Sequence, residues 1–413
     1  MRKPSLWARL LGVEGAIVES VEMDRSGVLV AQIRPPARER RRPRCPDCGR
    51  VCPRYDAGRE RRWRALDLGF VRAFVEAHAP RVRCAEHGVR TAKVSWARHR
   101  SGFTRAFEDT VAWLVTQCSK SGVGELLRLG WRTVGRIIER VVAEADPAAR
   151  LKNVRRIGID EISYRKGHRY LTVVVDHDTG KLLWAANGHD EATLSKFFEM
   201  LGPEGCAQIE LVSADAAAWI RNAVRRGCPE ATLCMDPFHV VSWATKALDQ
   251  VRRDVWNTAR KAGQRASAKA VKGARYALWK NPDDLTLKQK ATLAAISKTN
   301  RPLYRAYLLK EQLRQVFRLR GEAGKRLLDR WLAWAQRCRL KPFVKVGRSI
   351  KRMRTEIDAV LTHGLTNARV EGLNTRLRLI TRRAFGFHSA EAIIALGLLS
   401  LGGLAPCLPG RSP

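Results

Sequence analysis

The stretch that decides the fold is Arg155 to Ser242, which opens RRIGIDE with Asp160 and Glu161 at its end. Ile157 to Glu161 alternates and closes on two acids, as a half-buried strand leading to a site would. Tyr170 to Asp176 (YLTVVVD) is apolar on both faces, the pattern of a central strand. Asp178-Thr179-Gly180 supplies a turn into a third strand, Lys181 to Ala186. Asp190 can cap a helix whose buried stripe is Leu194, Phe197, Phe198 and Leu201. Ile209 to Val212 is a fourth strand with Asp215 just past it. A helix from Ala216 to Arg226 and a strand from Thr232 to Met235 complete the unit.

Three hairpin-like strands followed by alternating helix and strand is the order of an α/β, ribonuclease H-like fold. There the ends of the first and fourth strands lie side by side. Asp160 and Asp215 are therefore expected to meet, although 55 residues separate them.

Working outward, Trp243 to Ile350 changes character. It is rich in Arg and Lys and helical by period, with stripes such as Leu248, Val251 and Val255. It reads as an all-helical insertion, and its tryptophans (243, 256, 279, 331 and 334) as core. A helix ending at His363-Gly364 follows. The next helix, capped by Thr366 or Asn367, carries Val370, Leu373, Leu377 and Ile380 on one stripe. Asn367, Glu371, Asn374 and Arg378 form a polar stripe beside it. Ala390 to Leu401 is a last apolar helix, expected to pack on this core, and residues 404–413 should fray.

On the N-terminal side, residues 11–35 read as a hairpin turning at Ser26-Gly27. Cys45-Pro46-Asp47-Cys48 and Cys84-Ala85-Glu86-His87 bracket strand-like residues 61–83. Two such pairs suit a small ribbon closed around structural zinc, with Cys52 as a competing ligand. Thr110–Gln117, Val123–Leu129 and Thr133–Val142 resemble the three helices of a helix-turn-helix module, whose last helix would present Arg132, Arg136 and Arg140 outward to DNA.

The balance of 77 Lys+Arg against 40 Asp+Glu gives a net charge of +37. An extended polyanion relieves such self-repulsion, and nucleic acid is the leading candidate because each neutralised phosphate releases a counterion. No apolar run reaches the roughly 20 residues of a membrane span. The basic start at Met1 has no sustained apolar stretch after it, so no secretory signal is expected. The expected place is the cytosol, with the nucleoid, where ten cysteines are thiols or metal ligands.

Phosphodiester chemistry with two metal ions needs carboxylates that hold hard cations about 3.5–4 Å apart. Asp160 suits the bridging place, Asp215 lies beside it, and Glu371 is the best-placed third acid. Magnesium takes oxygen ligands, and manganese should substitute. Asp236 and Asp176 are also strand-end acids. Glu161 points to the other face of its strand, and His239 follows the fifth strand.

These motifs resemble one family. Ile157 to Asp176 is similar to the core of the ISL-three family of insertion-sequence transposases. So are Val212 to Asp215, Asp236 to Val241 (DPFHVV) and Thr366 to Asn374 (TNARVEGLN). The order of zinc ribbon, helix-turn-helix and DDE domain is similar too. The resemblance implies binding of terminal inverted repeats in double-stranded DNA and magnesium-dependent cleavage and joining to target DNA. It further implies two or more copies on DNA. It gives Asp160, Asp215 and Glu371 the catalytic places, and Cys45, Cys48, Cys84 and His87 the zinc places. The expected division is 1–100 with the ribbon (core 40–95), 101–148 for the helix-turn-helix and 149–403 for the catalytic domain. Within the last, 155–242 and 351–403 form the core and 243–350 the insertion. The rival readings are a hydrolytic nuclease or resolvase of the same fold, or a non-catalytic DNA-binding regulator.

Overall fold

The computed structural model describes residues 6–165 and 167–411. Most of the basic start at Met1, Lys166 of the opening motif and the last two tail residues lie outside the described residues. The chain forms two compact units. One comprises Met1–Pro147 with Leu379–Pro413, the other Ala148–Arg378.

The first unit begins with a short helix, α1 (Leu6–Leu10), and the expected hairpin, β1 (Ile17–Met23) and β2 (Leu29–Arg34). Asp24 ties that turn, its Oδ1 accepting from the Ser26 and Val28 N–H groups. After α2 (Ala37–Arg41) come β3 (Arg54–Asp56), β4 (Glu60–Arg64), β5 (Ala73–His78), β6 (Arg81–Cys84) and β7 (Gly88–Thr91). They make two sheets, β1-β2-β5-β4 and β3-β6-β7. Trp63 and Trp96 meet edge to face, 5.6 Å between centroids, in the core of the larger sheet. Three helices follow, α3 (Arg105–Gln117), α4 (Lys120–Leu126) and α5 (Trp131–Glu144). Thr104 and Ser119 cap the first two through their side chains. Val134, Ile137, Ile138 and Val141 of α5 are buried, as their spacing requires.

The second unit starts at α6 (Pro147–Leu151), whose first residue still counts with the first unit, and runs into β8 (Arg156–Arg165), β9 (Arg169–Asp176) and β10 (Leu182–Asn187). Then α7 (Glu191–Ala207), β11 (Leu211–Ala214), α8 (Ala218–Gly227) and β12 (Thr232–Met235) alternate. The sheet order is β10-β9-β8-β11-β12. β9 runs antiparallel to both β8 and β10, whereas β11 runs parallel to β8 and β12. The strand expected at Ile209–Val212 forms two residues later. Ile157, Ile159, Val174, Leu194, Phe197 and Val212 are buried in one core on this sheet.

Asp160 was expected at a strand end. It lies inside β8, which continues to Arg165 against β9, with Asp160 opposite Val173. The neighbour on the other side is shorter. β11 pairs with β8 only from Leu211↔Arg156 to Ser213↔Gly158. The β8–β9 hairpin outruns β11, so Asp160 lies just past the end of the parallel pairing.

The insertion is helical throughout: α9 (Pro237–Lys261), α10 (Arg265–Gly273), α11 (Arg275–Trp279), α12 (Leu287–Thr299), α13 (Arg301–Leu319), α14 (Gly321–Arg337) and α15 (Lys341–Arg352). Trp331 is fully buried and donates to the Leu309 carbonyl at 2.7 Å, and the other four tryptophans pack against the same core. Lys310 is buried too. Its ammonium caps the end of α11, donating to the Leu278 carbonyl at 2.8 Å and to those of Trp279 and Lys280. α16 (Arg354–His363) ends on left-handed Gly364 and packs on β12. α17 (Ala368–Arg383) carries Glu371.

The last helix, α18 (Ala390–Leu401), corrects an expectation. It packs on α3 and α5, within the first unit. Its buried residues, among them Ile393, Leu396 and Leu399, surround the helix, so its sequence could not say which neighbour it would cover. Arg383 fastens the approach by donating to the Val115, Thr116 and Gln117 carbonyls at the end of α3.

Candidate functional site

Asp160 collects the evidence for a site. Burial pushes its carboxyl up to about 6, and the charges of Asp215 and Glu371 push the same way. The Glu161 N–H, 2.8 Å from Oδ1, and the charge of His239 act against that rise. Three acids from β8, the end of β11 and α17 therefore feel one another. Asp215 is steadied by the Ala217 N–H at 2.9 Å. Asn374, one turn after Glu371, donates from Nδ2 to Asp160 Oδ2 at 2.8 Å. Its Oδ1 is buried and has no hydrogen-bond partner.

The other acids fall into place around these. Asp236, at the head of α9, is buried. Its carboxyl is raised by burial, and Oδ2 has no partner. Its charge is not among the leading influences on Asp160, whereas that of Asp215 is. Asp176 is a turn residue, accepting from the Asp178 and Thr179 N–H groups. Glu161 is closer to the site than its side of the strand implies. Burial raises its carboxyl, and Asp215 adds to the rise. His239 faces both Asp160 and Asp236 as a compensating charge.

Behind the acids is a buried polar network that sequence reasoning missed in part. Asn367, 2% exposed, reaches two strands and the head of α9 at once. Its N–H donates to Asp236 Oδ1 at 3.4 Å, its Nδ2 to the Ile159 carbonyl at 3.4 Å, and its Oδ1 accepts from Ser213 Oγ. Ser213 Oγ lies 2.6 Å from His177 Nε2. Since the hydroxyl proton goes to Asn367, the imidazole must donate from Nε2. Burial, then the Arg369 charge, lowers His177 to about 4, so the ring is neutral. Arg369 in turn holds the His177 and Asp178 carbonyls. Gly158 is required here. A Cβ would fall 2.3 Å from Val370 Cγ2 and 2.7 Å from His177 Nε2.

The donors suit hard divalent cations. They are carboxylate oxygens, two of whose charges raise the Asp160 carboxyl, together with two buried oxygens without partners. A cation among them would relieve both. The three acids do not gather within the 4.8 Å radius seen at the ribbon. Two ions about 3.5–4 Å apart need the wider set.

At the ribbon, Cys45, Cys48, Cys84 and His87 bring their ligand atoms within 4.8 Å of one another. Cys48 and Cys84 sulfurs lie 3.7 Å apart, and Cys84 Sγ lies 3.6 Å from His87 Nδ1. Tetrahedral zinc with bonds of about 2.3 Å to sulfur and about 2.0 Å to nitrogen requires edges of about 3.8 and 3.5 Å. The cluster matches a closed structural site. Both pairs stand on tight turns, Cys45–Gly49 and the β6–β7 hairpin, where Gly49 and Gly88 take positive φ. The hydrogen bond from His87 leads in lowering the Cys84 thiol to about 6. Cys52 stays outside the group and donates to the Arg50 carbonyl.

On α5, Arg132 and Arg136 are exposed, but Arg140 is not aligned with them. Its guanidinium turns in to the fully buried Glu108 at 2.5 Å. A four-residue step drifts about 40° around a helix, so after two steps the side chain has left the outer face.

Family models match three segments in the expected order. Residues 41–87 match the zinc-finger of transposase IS204/IS1001/IS1096/IS1165. Residues 92–142 match the helix-turn-helix domain of transposase family ISL3. Residues 157–396 match the ISL3 DDE transposase model. The transposase for insertion sequence element IS1557 from two strains of Mycobacterium tuberculosis is 52% identical, over all of this chain and 98% of the relative. The transposase for IS1001 from Bordetella parapertussis is 27% identical over 94% of this chain and 95% of its own. With half the sequence shared along its whole length and its segments matched in order, the chain belongs to the ISL3 family of transposases, DNA-binding enzymes that cleave DNA and transfer the cut strand.

Proposed function

We propose that Asp160, Asp215 and Glu371 are the catalytic acids, that magnesium is their ion, and that the substrate is the terminal inverted repeat of an insertion sequence. One observation carries the assignment: Asp215 and Glu371, from distant parts of the chain, both add to the rise of the Asp160 carboxyl. The strand order β10-β9-β8-β11-β12, antiparallel on one side and parallel on the other, supports a ribonuclease H-like core interrupted by the helical insertion. Divalent ions held by the three acids would activate the attacking oxygen and stabilise the leaving one. The chain's own part is alignment. Asn374 fixes one oxygen of Asp160 and the Glu161 N–H the other. Asn367 ties the start of the Glu371 helix to the strands that bear Asp160 and Asp215.

Arg132 and Arg136 on α5 are the proposed DNA contacts of the helix-turn-helix, with Arg140 reassigned to holding Glu108. Pairing of two ends implies at least two copies on DNA, and a place of action at the nucleoid. The division at about 100, 148 and 403 remains our reading of domain limits, with the C-terminal helix packed on the helix-turn-helix side.

Pre-cut ends with a free 3′-hydroxyl test the assignment. Wild-type protein with magnesium should join them to target DNA. Asp160→Asn, Asp215→Asn and Glu371→Gln should each lower joining by at least about a thousandfold, and binding of the ends should persist. Full joining by any of the three variants would remove that residue from the set.

A further inference from the structure

Among the insertion's helices α15 carries the most cations for its length. Lys341 to Arg352 (KPFVKVGRSIKR) contains five cations and no acid. Phe343, Val346, Gly347 and Ile350 are buried. At about 100° per residue, Lys341, Lys345, Arg348 and Arg352 fall within a sector about 60° wide, centred opposite that buried stripe. All four are exposed. Among the described residues none of the four makes an ion pair. By contrast Arg354, two residues further on, is held by both Asp329 and Asp358.

Four unneutralised cations on one line repel one another, and ordinary solvated helix faces mix signs. Folding alone gains nothing from the arrangement. It spans the 12 residues of the helix, a rise of about 16 Å from first to last, long enough to face several consecutive phosphates of one strand. Lys and Arg ends meeting phosphates position a duplex without reading its sequence. The stripe holds no Asn, Gln or acid to read adenine or cytosine, and its cations stand in one line, the spacing of a phosphate backbone. It also belongs to the compact unit that carries the three acids.

We propose that this face of α15 is a binding surface for the backbone of target DNA, the duplex that receives the transferred strand. A line of cations directed at phosphates can hold a recipient duplex whatever its sequence. The surface is separate from the base-reading helix α5.

The test uses full-length, zinc-loaded protein and a scrambled-sequence duplex, with binding followed by fluorescence anisotropy through a salt titration and no magnesium present. The variant K341Q/K345Q/R348Q/R352Q removes the stripe. The variant K288Q/K290Q/K298Q removes three exposed charges from α12 and controls for overall charge. Each lost phosphate contact lowers the slope of log affinity against log salt by about 0.9, so the stripe variant should lose about 3.6. Its low-salt affinity should fall at least about tenfold, while the α12 control changes the slope by less than about 1. An unchanged slope, or an equal loss in the control, would overturn the proposal. Binding is read without chemistry, so this result does not depend on the assignment of the acids. A joining assay identifies the duplex. Excess target DNA should restore the stripe variant's rate. Rescue by excess donor ends instead would show that α15 holds the element's end and would refute the target assignment. Single Arg348→Glu, at an exposed position, provides a smaller effect of the same sign should the fourfold variant fold poorly.

Discussion

Asp160 and His177 stand on either side of one strand register and respond to pH in opposite senses. Asp160 is raised from 3.8 to about 6, so its ionised form is disfavoured by the fold. In metal-free protein that cost is absent below pH 4 and grows as pH rises through about 6, reaching about 3 kcal/mol. Asp160→Asn should therefore melt higher than wild type at pH 7.5 and equally at pH 4, and manganese should raise only the wild-type melting temperature. Equal melting of the two proteins at both pH values would show that the carboxylate is not strained. His177 is lowered from 6.5 to about 4, so stability falls as pH drops through that window. His177→Gln, which keeps a donor toward Ser213, should flatten that acid limb in pH-dependent urea titrations. Asn367→Ala should cost joining about 10- to 100-fold with unchanged DNA affinity, since it aligns acids and binds none. A matching loss of affinity would make it a mere packing residue. The three proposed acids were chosen because a metal nuclease needs carboxylates and these follow apolar runs or sit on a polar helix stripe, although β8 runs on past Asp160. Asn367 was visible on the polar stripe, but its partners Ser213 and His177 were not. Neutral polar contacts across 154 and 36 residues leave no periodic trace. Arg140 was misread because a spacing of four drifts around a helix.

At the scale of elements, the strands and helices from Arg155 to Ser242, apart from the far end of β8, could be read to within about two residues, because hydrophobic period and turn chemistry agreed there. Two features could not be read. The length by which β8 outruns β11 depends on its partner, and it moves Asp160 from a strand end to a strand interior. The neighbour of α18 depends on which surface remains uncovered, and an all-apolar helix does not specify it. The ribbon was clear because Cys-x-x-Cys and Cys-x-x-His are rigid spacings. Its sheet β3-β6-β7 has a core of little more than its own ligands, with Val82 and Ala92. Chelation of zinc should therefore unfold the ribbon, seen as loss of hydrogen-exchange protection from Cys45 to Thr91. Cys84→Ser should do the same, whereas Cys52→Ser should retain one equivalent of zinc. Loss of zinc in Cys52→Ser would exchange it with His87 in the ligand set.

Over the whole molecule, the surplus of 37 positive charges keeps the metal-free protein self-repelling and makes DNA part of its stability. Composition alone was enough to name that partner. The charge does not say where DNA lies; that depends on exposed, unpaired cations such as Arg132, Arg136 and the α15 stripe. Similarly, the repulsion among the proposed acids falls when divalent cations bind between them, and those cations can then also take a phosphate oxygen. Anomalous diffraction from crystals of the DNA complex soaked in manganese tests this convergence of acids. Two peaks about 3.5–4 Å apart, bridged by Asp160 and completed by Asp215 and Glu371, are the expected result. Manganese seated on Asp236 with no contact to Glu371 would contradict it.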